Sequence, residues 1–182
     1  MTRGTAEVSR LAAVVFDKTQ PGDAAVAAFL ERAARSGARI AGLVQEHADA
    51  QGCALHDARV RNLGTGEILP IMQDLGAEAT GCRVDPAAIA VAARMLDHAR
   101  ETAPDLLVAS RFGRLESEGG GMLAEIGQAF GDGLAVLICV PSRYIGSWNA
   151  FADGLDVQLP PSADAIARWW ESVVAARSDA AA

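Results

Sequence analysis

The residues best suited to hold a small anion lie between Ser110 and Gly121, where Ser110-Arg111-Phe112-Gly113-Arg114-Leu115-Glu116 runs on to Gly119-Gly120-Gly121. Arginine presents a planar fork of donors, serine adds a directional hydroxyl, and glycine backbones let N–H groups approach a tetrahedral oxyanion closely. Ser110, Arg111, Arg114, Gly119, Gly120 and Gly121 are therefore the first candidate ligand-binding residues. On this reading Arg111→Ala abolishes anion binding and leaves folding nearly intact. An arginine at a strand end also serves as a surface ion-pair partner, here of Glu116 or Glu118, and that reading stands beside the first.

A second group follows from Gly81-Cys82-Arg83-Val84-Asp85-Pro86. It sets a thiol and a guanidinium next to a helix N-terminus, where unpaired N–H groups favour anions and depress a thiol pKa. The plainer account is that Asp85 caps the helix and Cys82 packs as a small apolar group. Arg83 and Cys82 join the candidate set as a facing loop, and Gln73, beside Asp74, joins it as a polar orienting group. His47, Cys53 and His56 are metal-ligand types in one segment, but their spacing matches no compact zinc pattern, and no metal site is expected.

A third segment is informative for what it lacks. After the apolar run Leu11 to Phe16 comes Asp17-Lys18-Thr19-Gln20-Pro21-Gly22-Asp23-Ala24, where a phosphate-binding loop reads G-x-x-x-x-G-K-[ST]. Gly22 matches. Asp23 stands at the lysine position and Ala24 at that of the magnesium-binding hydroxyl; Lys18, the residue that could in principle substitute for the lysine, sits five residues early. A carboxylate at this place repels the phosphates that the motif attracts.

The elements that must position these groups alternate strand and helix. Strands are expected at Leu11 to Phe16, Ile40 to Val44, Leu106 to Ala109 and Leu134 to Val140, and a hairpin at Arg59 to Leu63 and Ile68 to Ile71 around Gly64-Thr65-Gly66. Helices are expected at Asp23 to Ser36, stopped by Gly37, at Pro86 to Glu101 behind the N-cap Asp85, at Met122 to Phe130, and at Ala163 to Ala175. Such alternation implies a mostly parallel sheet covered on both faces. Ligands in such sheets bind beyond the carboxyl ends of the strands, which selects the loops holding the candidates above. Trp148 and Phe151, on a short helical turn, read as packing rather than as a stacking platform. Trp169 and Trp170 point about 100° apart on a helix, so one is expected at a boundary or oligomer contact.

Composition sets the outer bounds. With 182 residues, the chain is expected to form one α/β domain over 11–177, flanked by flexible ends at 1–10 and 178–182. Apolar residues make up 51% and aromatics 5%, so the core rests on Ala, Val, Leu and Ile. The net charge of -7 argues against a nucleic-acid or anionic-membrane partner, since counterion release needs a basic surface. No apolar run approaches the roughly 20 residues that span a bilayer. Three widely spaced cysteines and no signal-like segment before Leu11 point to a cytoplasmic protein with free thiols.

Two resemblances attach to these residues. Phe112-Gly113-Arg114-Leu115-Glu116 and the hairpin Val60 to Glu67 resemble the small nucleoside-triphosphatases related to nucleotide kinases, in which an Asp-Glu pair stands where this chain has Ser110-Arg111. A closer resemblance is to a bacterial family, domain of unknown function 2478, carried by Gln73-Asp74-Leu75-Gly76, Gly81-Cys82-Arg83-Val84-Asp85, Arg111 to Glu116 with Gly119 and Gly121, and Trp148 with Phe151. It implies a P-loop-NTPase-like three-layer α/β/α fold, with a mostly parallel sheet and an added β-hairpin. Association with molybdate-transport genes is implied as context.

The expected function is thus a non-hydrolysing accessory protein that binds a small oxyanion, with molybdate or tungstate suggested by the resemblance alone. No catalytic residue and no magnesium-nucleotide site is assigned. An unorthodox nucleoside-triphosphatase and a protein-interaction scaffold with a vestigial site are the alternatives.

Overall fold

The computed structural model describes residues 8–47, 58–73 and 84–180. Four short apolar segments, β1 (Leu11–Phe16), β2 (Ile40–His47), β5 (Leu106–Arg111) and β6 (Ala135–Pro141), lie side by side and parallel, in the order β2-β5-β6-β1. Their side chains alternate between two cores, as strand geometry requires. Leu107, Ala109, Val136 and Ile138 face one core; Leu106, Val108, Leu137 and Cys139 face the other. The first core is closed by α2 (Pro86–Glu101), α4 (Leu123–Gly131) and α5 (Ile145–Ala152). The second is closed by α1 (Gly22–Ala33) and α6 (Ala163–Ala180). This is the expected three-layer α/β/α arrangement with a mostly parallel sheet.

The hairpin β3 (Ala58–Asn62) and β4 (Ile68–Pro70) extends the sheet antiparallel beyond β2. It explains why β2 outruns its expected end at Val44: residues Leu43 to His47 pair with Asn62 to Ala58. At the opposite edge the structure adds β7 (Asp156–Leu159), parallel to β1 and absent from the expected elements. Its Asp-Val-Gln-Leu sequence carries no apolar run, because an edge strand buries little.

Helix α2 has the expected limits, with Asp85 as N-cap accepting from the Ala87 amide at 2.9 Å and Pro86 first in the helix. The terminal helix α6 runs past Ala175 to Ala180, consistent with an alanine-rich tail. The expectation that one of Trp169 and Trp170 lies at a boundary is corrected: both are buried in the second core. Trp169 reaches the N-terminal segment, donating its indole N–H to the Ser9 carbonyl at 2.9 Å, while Trp170 lies beside it with ring centroids 6.3 Å apart. No helix among the described residues is long and apolar enough to cross a membrane.

Candidate functional site

The carboxyl ends of β1, β6 and β5 meet where the sequence places its degenerate loop and its arginines. Strand β5 does not reach this edge regularly. Val108 lies level with Leu137 and Arg111 with Cys139, so three steps on β5 span two on β6. Ser110 absorbs the extra residue as a β-bulge, buried and at φ 57°. Regular alternation would send Arg111 with Leu107 and Ala109 into the first core. The bulge turns it instead to the α1 side, and Phe112 drops into the first core in its place.

There the Arg111 guanidinium forms an ion pair with Asp23 in the first turn of α1. It also lies over the Phe16 ring, 4.9 Å from the centroid. The pair is largely shielded, with the Arg111 side chain 23% and that of Asp23 12% exposed. Within this cluster the Arg111 Nε atom is buried and has no acceptor among the described residues. Beneath it, Cys139 is free and buried; burial first, then the Asp23 carboxylate, pushes its thiol well above the ordinary range, and Arg111 opposes them. Gly22, the surviving loop glycine, has a packing reason to be there: a Cβ would lie 2.8 Å from the Phe16 ring and 3.4 Å from the Cys139 sulfur.

The remaining candidates divide. The expected pairing of Arg111 with Glu116 or Glu118 is replaced by Asp23. Glu118 instead accepts from Arg114 Nε at 2.7 Å, an exposed pair one turn apart at the short helix α3 (Arg114–Ser117). Glu116 is buried, its two carboxylate oxygens accepting from the amides of Gly113 at 2.9 Å and Met122 at 3.0 Å. The glycine run wraps this carboxylate. The Gly119 amide donates to the Glu116 carbonyl at 3.1 Å and that of Gly120 to Leu115 at 2.9 Å. Those two donors, assigned to an anion cradle from the sequence, are spent inside the loop.

Gln73 is likewise turned inward, donating to Asp85 at 3.4 Å and so bracing the α2 cap. Arg83, Cys82, Asp74, Cys53 and His56 lie outside the described residues, and of His47 only its backbone place at the end of β2 is described. Among the described residues no cluster of His, Cys, Asp and Glu is arranged to hold a metal ion. Trp148 packs as expected, fully buried against Phe112 with centroids 5.5 Å apart, and donates its indole N–H to Asp156 at 2.7 Å. The signals that sequence reasoning missed are the bulge at Ser110 and Asp23 as a partner rather than a lost function.

The residues at this edge differ from those of a phosphate-binding loop with its magnesium ligands. Asp23 puts a carboxylate, already paired with Arg111, at the lysine position; Ala24 has no oxygen for the metal; and Arg111 lies where an acidic group would hold magnesium or activate water. The structure does contain a groove of about 740 Å³, lined by Phe29, Ala33, Trp170, Val174 and Arg177. Gly37 and Asp105, which precede β2 and β5, also line it, so it opens at the amino ends of the strands and away from this cluster.

With this geometry in place, the likeness to known proteins takes on meaning. The chain is 31% identical over 163 residues to the molybdenum import ATP-binding protein ModC 2 of Bradyrhizobium diazoefficiens, a match covering 89% of this chain and 18% of that protein. It therefore spans less than a fifth of that relative's length. Among solved structures, a human cancer-related nucleoside triphosphatase superposes with a TM-score of 0.61 at 15% identity, covering 84% of this chain and 88% of that one. THEP1 from the hyperthermophile Aquifex aeolicus superposes with a TM-score of 0.56 at 14% identity, covering 90% and 96%. These likenesses establish a P-loop-NTPase-like fold. Residues 11–169 match the model of the family described as protein of unknown function DUF2478, and the chain belongs to that family.

Proposed function

We propose that this protein is a non-hydrolysing accessory module, acting in molybdate or tungstate handling, whose ancestral phosphate site is closed by its own side chains. The observation that carries the reading is the Arg111–Asp23 pair over Phe16, which sets an internal carboxylate where a phosphate-binding loop needs a lysine. The transport setting is supported by the likeness to a molybdenum import ATP-binding protein.

One observation favours a second reading, in which the module itself takes up a small oxyanion such as molybdate or tungstate. Buried polar atoms are nearly always paired, and the Arg111 Nε has no acceptor among the described residues, a place an oxyanion would fill.

A thermal-shift panel with molybdate, tungstate, sulfate, phosphate, ATP and GTP, the nucleotides with and without magnesium, tests both. Saturation to a hundred times the dissociation constant adds about 2.7 kcal/mol, a shift of a few degrees in a chain of this length. The accessory reading expects no nucleotide shift, and a selective response to molybdate or tungstate favours direct oxyanion binding. A magnesium-dependent shift with ATP or GTP overturns the reading.

A further inference from the structure

The reading above takes two positions as lost: a lysine replaced by Asp23 and an acidic residue replaced by Arg111. The structure joins them. The two substitutions are complementary in charge, and the bulge at Ser110 is what brings Arg111 onto the α1 side to meet Asp23. We propose that Asp23 is an intramolecular gate, a carboxylate that occupies a latent oxyanion site on Arg111 and keeps free anions out of it. The inference rests on the closed-site reading and deepens it by naming the gate and the ligand class behind it.

Three features argue for a gate over an ordinary ion pair. The first is the unused donor: Asp23 engages a terminal nitrogen of Arg111, while the buried Nε has no acceptor among the described residues. A guanidinium binds a planar or tetrahedral anion best through two parallel N–H groups, so the carboxylate fills the site incompletely. The second is the helix end. The N-cap Pro21 makes no side-chain hydrogen bond to the first turn of α1, and Asp23 is the acidic residue in that turn, at the end where a phosphate is favoured. The third is rigidity. Phe16 under the guanidinium, and Gly22 packed on Phe16 and Cys139, fix the arginine's surroundings, so removing the Asp23 carboxylate is expected to leave the guanidinium held in place. The ligand class is a small inorganic oxyanion with several oxygens, such as phosphate, pyrophosphate or molybdate.

The test is an isothermal titration of pyrophosphate, and separately of molybdate, into the full chain and into Asp23→Ala, Asp23→Asn and the double variant Asp23→Ala/Arg111→Ala. A site blocked by its own carboxylate binds weakly in proportion to the open fraction, so Asp23→Ala is expected to bind about tenfold or more tighter than the parent. Asp23→Asn, neutral and nearly isosteric, is expected to show a smaller gain, and the double variant none. Equal binding by parent and Asp23→Ala, or a gain that survives removal of Arg111, overturns the proposal. If neither single variant folds by circular dichroism, Asp23 is a structural keystone and the gate is again refuted. Magnesium-ATP binding by the parent sinks the non-hydrolysing accessory role by itself, whatever the variants do with pyrophosphate.

Discussion

Glu116 and Gly121 are fitted to one another: the Glu116 carboxylate lies where a Cβ on Gly121 would be, and Gly121 sits at φ 62°. The last glycine of the run is thus required by a buried side chain rather than by a ligand. The carboxylate in turn holds the amides of Gly113 and Met122, tying both ends of the loop between β5 and α4.

Gly121→Ala is accordingly expected to cost about 2 kcal/mol or more, since the left-handed backbone and the overlap with Glu116 both oppose a methyl group. Urea unfolding followed by circular dichroism measures it. A loss within a few tenths of a kcal/mol would show that Glu116 swings aside freely.

Trp148→Phe removes the indole donor to Asp156 and shrinks a ring that is fully buried. A hydrogen bond to a charged group is worth about 1.5–3 kcal/mol, and the cavity adds to that loss. The same unfolding measurement on Asp156→Asn, which keeps an acceptor, is expected to show the smaller loss.

How much of this was legible in the sequence depends on the kind of interaction. The parallel core strands and the α2 cap were readable because apolar runs, Asp85 and Pro86 act locally. Strand β7 was not, because its pairing with β1 gives Asp156 to Leu159 their form and an edge leaves no apolar signature. The site was half readable. Arg111 stood out as the key cation, but its partner lies 88 residues away, and a bulge at Ser110 decides which face it takes. Glu116 and the glycines were visible as a group, yet only the fold shows that the carboxylate consumes the loop's own amides. Both tryptophans are buried because α6 packs against α1 and the N-terminal segment on different sides, which helical spacing alone does not reveal.

Cys139 is expected to resist alkylation. Its thiol is buried and held protonated by burial and by the Asp23 carboxylate, and the thiolate is the reactive form. Treatment with iodoacetamide at about pH 8, below the usual cysteine pKa of about 8.5, followed by site-resolved mass spectrometry, should leave Cys139 unmodified in the folded chain and modified in urea. Rapid labelling of the folded protein would contradict the packing of α1 over β6.

Two carboxylates link stability to acid. Hydrogen bonds from the Arg39 side chain and backbone hold Asp105 below its ordinary pKa, and Arg61 does the same for Glu46, against opposing burial. A depressed folded-state pKa contributes stability that is present above the unfolded value and is lost as pH falls through the folded one. The urea midpoint is therefore expected to fall as pH drops below about 4. Asp105→Asn should flatten that dependence, and an unchanged slope would show that its pairing with Arg39 does not persist in solution.

The central claim is that the chain's own Arg111–Asp23 pair has replaced nucleotide chemistry. Phosphate release from magnesium-ATP and magnesium-GTP by the purified protein tests it most directly. The account predicts release indistinguishable from a protein-free control, and the same result for Arg111→Ala. Sustained release by the parent that is lost in Arg111→Ala would contradict it and make this cluster a working catalytic site.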